Sequence, residues 1–258
     1  MLIGAMNHPK HDVLEEIRWM AGMGLDFIDL SLEPPSAASW LINAPEIRRV
    51  LQGHGMKVVG HTAYYLPLAS PFEEIRQAAV IECKRCLEKF SEVGARWMNL
   101  HPDRNIPMHD RHFWVERNLV SLRDLQEKSR EVGVGLMLEN LPGTFNRAKE
   151  MAELLDPIPA LGLHLDIGHA NLQVERNATE ELLAHFGKRL AHVHLHDNNG
   201  GFADLHLPLG AGRIDYKTHL RALKDAGYDG TITLEVFTPD RTYLKVSRDL
   251  LRKTWDSF

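Results

Sequence analysis

The sequence is poor in cysteine, in long apolar runs and in excess positive charge. Its 258 residues include only two cysteines, too few for a disulfide framework. No uninterrupted apolar stretch approaches the roughly 20 residues that a helix needs to cross a bilayer, and no signal peptide is expected from the first residues. Thirty basic side chains against 35 acidic ones give a formal net charge of −5, which argues against a dedicated nucleic-acid-binding protein. We therefore expect a soluble cytoplasmic protein with no membrane partner.

The two cysteines are spaced as Cys-x-x-Cys, the pattern of some redox sites. Cys83 and Cys86 lie in a helical pattern and share one apolar face with Leu87 and Phe90. A redox pair is expected instead at an exposed helix start, where the thiol pKa is lowered. We therefore predict that both cysteines are buried core residues.

Short β-type runs alternate with amphipathic helical stretches along the whole chain. Such alternation indicates βαβ units and a parallel sheet. Eight repeats within 258 residues fit a single (β/α)8 TIM barrel of the α/β class, whereas a doubly wound sheet rarely needs eight repeats without a second domain. No linker or charge block divides the chain, so we predict one barrel domain over residues 1–258. The predicted strands are Leu2–Met6, Phe27–Leu30, Lys57–His61, Trp97–His101, Gly135–Glu139, Gly162–Asp166, His192–His196 and Thr231–Val236.

Histidine is abundant, with 15 residues, and it both binds metals and titrates near neutral pH. Metal-ligand side chains recur at the C-terminal ends of six consecutive predicted strands. Barrel active sites lie at these ends, so the six side chains should converge on one place. Solvation of strand ends does not explain six such residues in register. The set is His61, His101, Glu139, Asp166, His194 and Glu235.

Three more residues of the same types follow in the loops. His169 comes three residues after Asp166, close enough for both to reach neighbouring ions. Asp204 and His206 have period-2 spacing, which points both side chains the same way from an extended segment. We predict that these loops add metal ligands to the site.

Two further histidines flank His194 at period 2. His192 and His196 should therefore share its face of the strand, where one or both could bind substrate, orient a ligand by hydrogen bonding, or pack. The histidines near helical or turn segments are predicted to be ordinary surface or packing residues: His8, His54, His109, His112, His185 and His219.

Several segments resemble the endonuclease IV and xylose isomerase-like barrel superfamily. They run in the family's order from Lys57 to Phe237, and as a set they are specific for the superfamily but not for one reaction. The segment Asp204–Asp215 is especially similar to the sugar phosphate isomerase/epimerase branch. The other matching motifs are His61–Pro71, Asn99–Pro102, Leu138–Asn140, Leu165–Ala170, His194–Asp197 and Leu234–Glu235.

The resemblance implies one to three divalent ions. In the endonuclease IV branch, it assigns ligands to three ions: His61, His101 and Glu139; then Glu139 as a bridge with Asp166, His194 and Glu235; then His169, Asp204 and His206. All nine positions carry the matching residue type. The mixture of imidazole and carboxylate suits zinc, manganese or another divalent transition ion.

The first interpretation of this site is a metal-dependent isomerase or epimerase of a sugar or sugar phosphate. In that branch one ion, held by Glu139, Asp166, His194 and Glu235, would stabilise an enediolate formed after proton removal. Glu139 and Glu235 would be the catalytic acid and base on opposite faces of the substrate. The side chains expected to contact substrate hydroxyls are Tyr64, His101, His196 and Glu33.

The second interpretation is a multinuclear-metal phosphoesterase resembling endonuclease IV, and the nine-ligand match favours it. DNA is not the expected substrate, because Glu33 is acidic, the Ser-Lys of the endonucleases is missing after Asp197, and the net charge is negative. None of these objections applies to a small phosphorylated substrate. A non-enzymatic metal-binding or sugar-sensing protein, metal-assisted lyase or dehydratase chemistry, and a homo-oligomeric state stay open.

Overall fold

The eight predicted strands close into a parallel barrel in the computed structural model, which describes residues 1–258. Each strand pairs with the next along the chain, and β1 pairs with β8 to complete the ring. The chain is therefore a single (β/α)8 TIM barrel, as predicted. The strands are β1 Leu2–Met6, β2 Phe27–Leu32, β3 Lys57–Thr62, β4 Trp97–Leu100, β5 Gly135–Glu139, β6 Gly162–Asp166, β7 Leu190–Leu195 and β8 Thr231–Leu234.

The predicted strand ends differ from the observed ones by one or two residues. β2 and β3 extend further than predicted, whereas β4, β7 and β8 end earlier. His101, His196 and Glu235 therefore follow their strands and do not lie within them. The reason is that the side-chain pattern of the sequence continues past the last residue that pairs with a neighbouring strand.

The helices surround the barrel and have locally encoded ends. Asp12, Asp110 and Asp215 each accept a hydrogen bond from a backbone N–H of the first helical turn that follows. None of the helices combines the length and apolar character that crossing a membrane requires. The helices are α1 Val13–Gly22, α2 Ala44–His54, α3 Glu73–Val93, α4 Arg111–Val132, α5 Ala148–Leu155, α6 Thr179–Phe186, α7 Tyr216–Asp225 and α8 Thr242–Asp256.

The two cysteines lie on the buried face of α3, which confirms their prediction as core residues. Neither forms a disulfide. Burial raises the pKa of Cys83 to about 12, the opposite of what a reactive thiol needs. The helix packs closely on β3. A Cβ atom added to Gly60, on β3, would lie only 2.7 Å from the ring of Phe90, on α3.

The large apolar core lies between the strands and the helices. The inner side of the barrel is different, because it contains fully buried polar side chains such as Asp29, His164 and His192. Buried polar groups of this kind need partners. Asp29 and His192 lie within hydrogen-bond distance of each other and both pair with Thr233, and Asp29 also pairs with His194, whereas His164 makes no hydrogen bond.

Candidate metal centre and substrate cavity

Glu139, at the end of β5, contacts histidines from three other parts of the chain. Its Oε2 lies 3.0 Å from His101 Nε2 and 3.9 Å from His61 Nε2, and its Oε1 lies 3.0 Å from His169 Nδ1. Burial raises the pKa of Glu139, but His164 and His101 outweigh burial and hold the pKa well below its usual range. The side chain is therefore a buried carboxylate with imidazole nitrogens on both oxygens.

A second group joins the ends of β6, β7 and β8. His194 Nδ1 lies 3.2 Å from Glu235 Oε1 and 3.9 Å from Asp166 Oδ2. Asp166 Oδ2 is also 3.3 Å from His169 Nδ1, which connects this group to Glu139. Both His194 Nδ1 and Asp166 Oδ2 are buried and make no hydrogen bond. A cation between these atoms would satisfy both.

A third group is formed by the loops after β6 and β7. His169 Nε2 and His206 Nε2 each lie 3.1 Å from Asp204 Oδ2. His196 Nε2 lies 3.6 Å from Asp204 Oδ1, so the structure adds His196 to this group as a fourth possible ligand. The glycine of the Asp-Ile-Gly-His segment makes room for that ring, since a Cβ on Gly168 would lie 2.1 Å from His196 Nε2.

The three groups together contain all nine predicted metal ligands, at one end of the barrel. The donor set consists of imidazole nitrogens and carboxylate oxygens, and it includes buried atoms of His61, Asp166 and His194 without a hydrogen-bond partner. Such a set fits divalent transition ions. These side chains could therefore hold one or more such ions.

Asp29, on β2, lies fully buried beneath the predicted ligands and was not predicted from the sequence. Its Oδ2 accepts hydrogen bonds from His194 Nε2 at 2.7 Å, His192 Nε2 at 3.2 Å and the Thr233 hydroxyl at 2.8 Å. Burial raises the pKa of Asp29, but the bonds from both histidines outweigh burial and keep the pKa well below normal. Because His194 donates through Nε2, Nδ1 is the nitrogen that faces the carboxylates. A carboxylate behind a histidine in this way fixes the ring for metal binding.

His164, on β6, was also missed. It is fully buried with neither ring nitrogen hydrogen-bonded, and its Nδ1 lies 3.4 Å from Glu139 Oε2. Its ring centre is 4.0 Å from that of His194. The available signal was its position two residues before Asp166, which places both on one face of the strand. For Asp29 the signal was a carboxylate within an otherwise uncharged strand.

The ligand groups open into a cavity of about 940 Å³ at the C-terminal end of the barrel. This volume is near the upper end of the range for small-molecule sites. Of the predicted substrate-binding residues, Glu33, Tyr64 and His101 line the cavity, and Tyr64 is 74% exposed. Burial raises the pKa of Glu33, with an opposing effect from His61. His196 is fully buried and does not line the cavity.

One side of the cavity extends between the loops that follow β1 and β8. His8, predicted as an ordinary surface or packing residue, lines this side together with His11, Trp19 and Arg241. Arg104, from the loop after β4, lines another wall. Because the ends of β1 and β8 are adjacent in the closed ring, residues from the two ends of the chain meet here.

Comparison with known proteins places this geometry among related barrels. A family model described as a xylose isomerase-like TIM barrel matches residues 17–254. The uncharacterized protein MJ1311 of Methanocaldococcus jannaschii is 32% identical over 190 residues, which cover 70% of this chain and 64% of that protein. The chain thus spans a little under two thirds of that relative.

Two further relatives carry names of enzymes. An L-ribulose 3-epimerase of Methylomonas sp. is 24% identical over 91% of this chain and 82% of its own length. A probable endonuclease 4 of Aquifex aeolicus is 26% identical over 99% of this chain and 98% of its own length. Among solved structures, that of a D-tagatose 3-epimerase-like protein has a TM-score of 0.88 at 24% identity, covering 99% of this chain and 97% of that chain.

Proposed function

Because the chain belongs to the xylose isomerase-like TIM-barrel family, we propose that it is a divalent-metal-dependent isomerase or epimerase of a sugar or sugar phosphate. The observation that carries the proposal is a pair of buried carboxylates, Glu139 and Glu235, within the same set of predicted ligands. Glu139 ends β5 and Glu235 follows β8, so the two stand three strands apart in the ring of eight. Isomerisation or epimerisation beside a carbonyl removes a proton from carbon and returns one, and carboxylates on opposite walls suit that task. The likeness to an L-ribulose 3-epimerase supports the same reaction class.

The residues present fit one ion well. Glu139, Asp166, His194 and Glu235 would hold it, and zinc or manganese suits such a donor set. When bound, the ion supplies positive charge that stabilises the negative charge developing on the substrate oxygens. His61 and His101, and the group of Asp204 and its histidines, would hold further ions or contact substrate.

The protein side chains around the carboxylates have separate tasks in this proposal. Asn99 donates a hydrogen bond of 2.7 Å to Glu139 Oε2, which fixes the carboxylate while Oε1 faces His169. Glu235 would act from the other wall. Glu33 and Tyr64 would contact the substrate hydroxyls, because they line the same cavity as the predicted ligands.

A phosphoesterase acting on a small substrate is the second candidate. The group of His169, Asp204 and His206, with His196 beside it, favours this candidate, because an epimerase that uses one ion does not need a third ligand group. Clustered ions suit phosphate chemistry, in which both attacking and leaving oxygens are stabilised.

One experiment separates the two candidates. Protein purified without chelator is measured for metal per chain and loaded with zinc or manganese. It is then incubated in D2O with ketoses, ketose phosphates and phosphodiesters. We expect deuterium at the carbon beside the substrate carbonyl, loss of this exchange in Glu139→Gln and Glu235→Gln, and wild-type exchange in Glu131→Gln, a change on the exposed surface of α4. Hydrolysis of a phosphoester without any exchange would replace the isomerase by the phosphoesterase.

A further inference from the structure

The cavity continues past the ligand groups into a distal arm, which we define by His8, His11, Glu16, Trp19 and Arg241. The arm lies between the loop after β1 and the start of α8. The Arg241 guanidinium stacks on Trp19, with Cζ 3.9 Å from the ring centre. Its Nη2 donates a hydrogen bond of 2.8 Å to Glu16 Oε1. The stacking and the ion pair hold the planar guanidinium in one orientation before any ligand arrives.

The only carboxylate of the arm is already occupied by protein donors. Glu16 Oε1 accepts from Arg241 and lies 3.0 Å from His11 Nδ1. Glu16 Oε2 accepts from the backbone N–H of His8 at 3.1 Å. The Glu16 side chain is 5% exposed, so it supports the wall and offers little to a ligand.

The donors of the arm, in contrast, are not all used. Arg241 makes hydrogen bonds only through Nη2, which leaves Nε and Nη1 free for a ligand. His8 Nδ1 accepts from the backbone N–H of Lys10 at 3.2 Å, so the neutral ring carries its proton on the free Nε2. His11 also has a free Nε2. The arm therefore presents the free guanidinium N–H groups of Arg241 and the Nε2–H of His8, while its one carboxylate is already engaged.

We propose that the distal arm binds an anionic terminal group of the substrate, a phosphate ester or a carboxylate. Planar guanidinium donors recognise both groups, and a histidine can add a second charge-assisted bond. The inference rests on the proposed isomerase function and names the substrate class of that site as an acidic sugar derivative.

The position of the arm fits a sugar that reacts at the metal centre. Glu235 and Arg241 are six residues apart along one loop, and Phe237, Thr238 and Pro239 line the cavity between them. Phe237 stacks on His206, with ring centres 4.6 Å apart, so this loop connects the predicted ligand groups with the arm. The cavity of about 940 Å³ leaves room for a terminal group beyond a simple sugar.

The test is calorimetric binding to the metal-loaded protein, with deuterium exchange measured on the same samples. The ligands are D-fructose and D-ribulose, their terminal phosphate esters, D-fructuronate and inorganic phosphate. We expect an anionic form to bind about 10–100-fold more tightly than the neutral ketose, the size of a charge-assisted interaction. Arg241→Gln should remove most of this preference.

Two further variants guard against misfolding, because Arg241→Gln removes the guanidinium that pairs with the buried Glu16. His8→Ala changes an exposed residue and should reduce the preference by a smaller factor, and the double variant Glu16→Gln with Arg241→Gln removes both charges. Arg176→Gln, whose side chain is 83% exposed elsewhere, is the matched control and should bind as the wild type does. Thermal melting confirms folding in each case.

The outcomes separate the two proposals. A preference for the phosphate ester or for D-fructuronate that depends on Arg241 supports the arm and identifies which anion it takes. Absence of any Arg241-dependent binding, inorganic phosphate included, overturns it. An Arg241-dependent preference without deuterium exchange supports anion binding in the distal arm and contradicts the isomerase function. Deuterium exchange without that preference supports the isomerase function and contradicts anion binding in the arm.

Discussion

Replacing Asp29 by asparagine tests whether this buried carboxylate orients His194 for metal binding. The change preserves shape but removes the negative charge that receives three hydrogen bonds, from His194, His192 and Thr233. It also places a buried N–H2 at the position of Oδ1, which has no hydrogen-bond partner.

The expected cost follows from these contacts. A hydrogen bond to a charged group contributes about 1.5–3 kcal/mol, and a neutral one about half as much. Weakening three of them predicts a loss of about 3 kcal/mol in the free energy of unfolding, or about 6–12 °C in melting temperature for a chain of this size. Removing a carboxylate behind a ligating histidine lowers metal affinity about 10–100-fold.

The assay is metal competition against a chromophoric chelator, with calorimetric melting of the same preparations. Asp26→Asn is the matched control. Asp26 immediately precedes the first residue of β2, and its carboxylate accepts hydrogen bonds from the Ile3 backbone N–H and from Arg252. It should lower stability and leave metal affinity within about twofold. Wild-type metal affinity in Asp29→Asn, at a lowered melting temperature, would show that Asp29 stabilises the barrel without orienting the ligand.

The remaining predictions concern the third ligand group and the thiols. His206→Ala removes one ligand beside Asp204, so we expect at most one ion fewer per chain and a KM raised more than kcat is lowered; a larger loss of kcat in steady-state assays would contradict this. Cys83→Ala with Cys86→Ala should keep turnover within about twofold and lower stability modestly, and lost turnover at unchanged stability would indicate a redox role. Burial raises the pKa of Cys83 to about 12, whereas the thiol has a pKa of about 8.5 in the unfolded chain. The contribution of this thiol to the free energy of unfolding is therefore complete below pH 8.5 and is lost as the pH rises toward 12. A thiol reagent at pH 8 should accordingly label the denatured chain and spare the native one.

Several properties could be read from the sequence because they depend on neighbours along the chain. Alternating runs predicted eight strands, and helix patterning placed Cys83 and Cys86 in the core, as found. Ligand-type residues at successive strand ends predicted a common site, because parallel strands in a barrel all end at one rim. The structure brings all nine to that rim.

Other features were decided only by the closed barrel. Asp29 and His194 are 165 positions apart, and Arg241 and Glu16 are 225 apart, yet each pair is hydrogen-bonded. Side-chain periodicity tells which face of a strand a residue occupies, but not the height at which it meets a strand across the ring. That height is set by the register of every strand pair and by the β1–β8 closure, which unites the two ends of the chain. The convergence of the nine predicted ligands could thus be foreseen from the sequence, whereas the carboxylate behind His194 and the distal arm exist only because the ring closes.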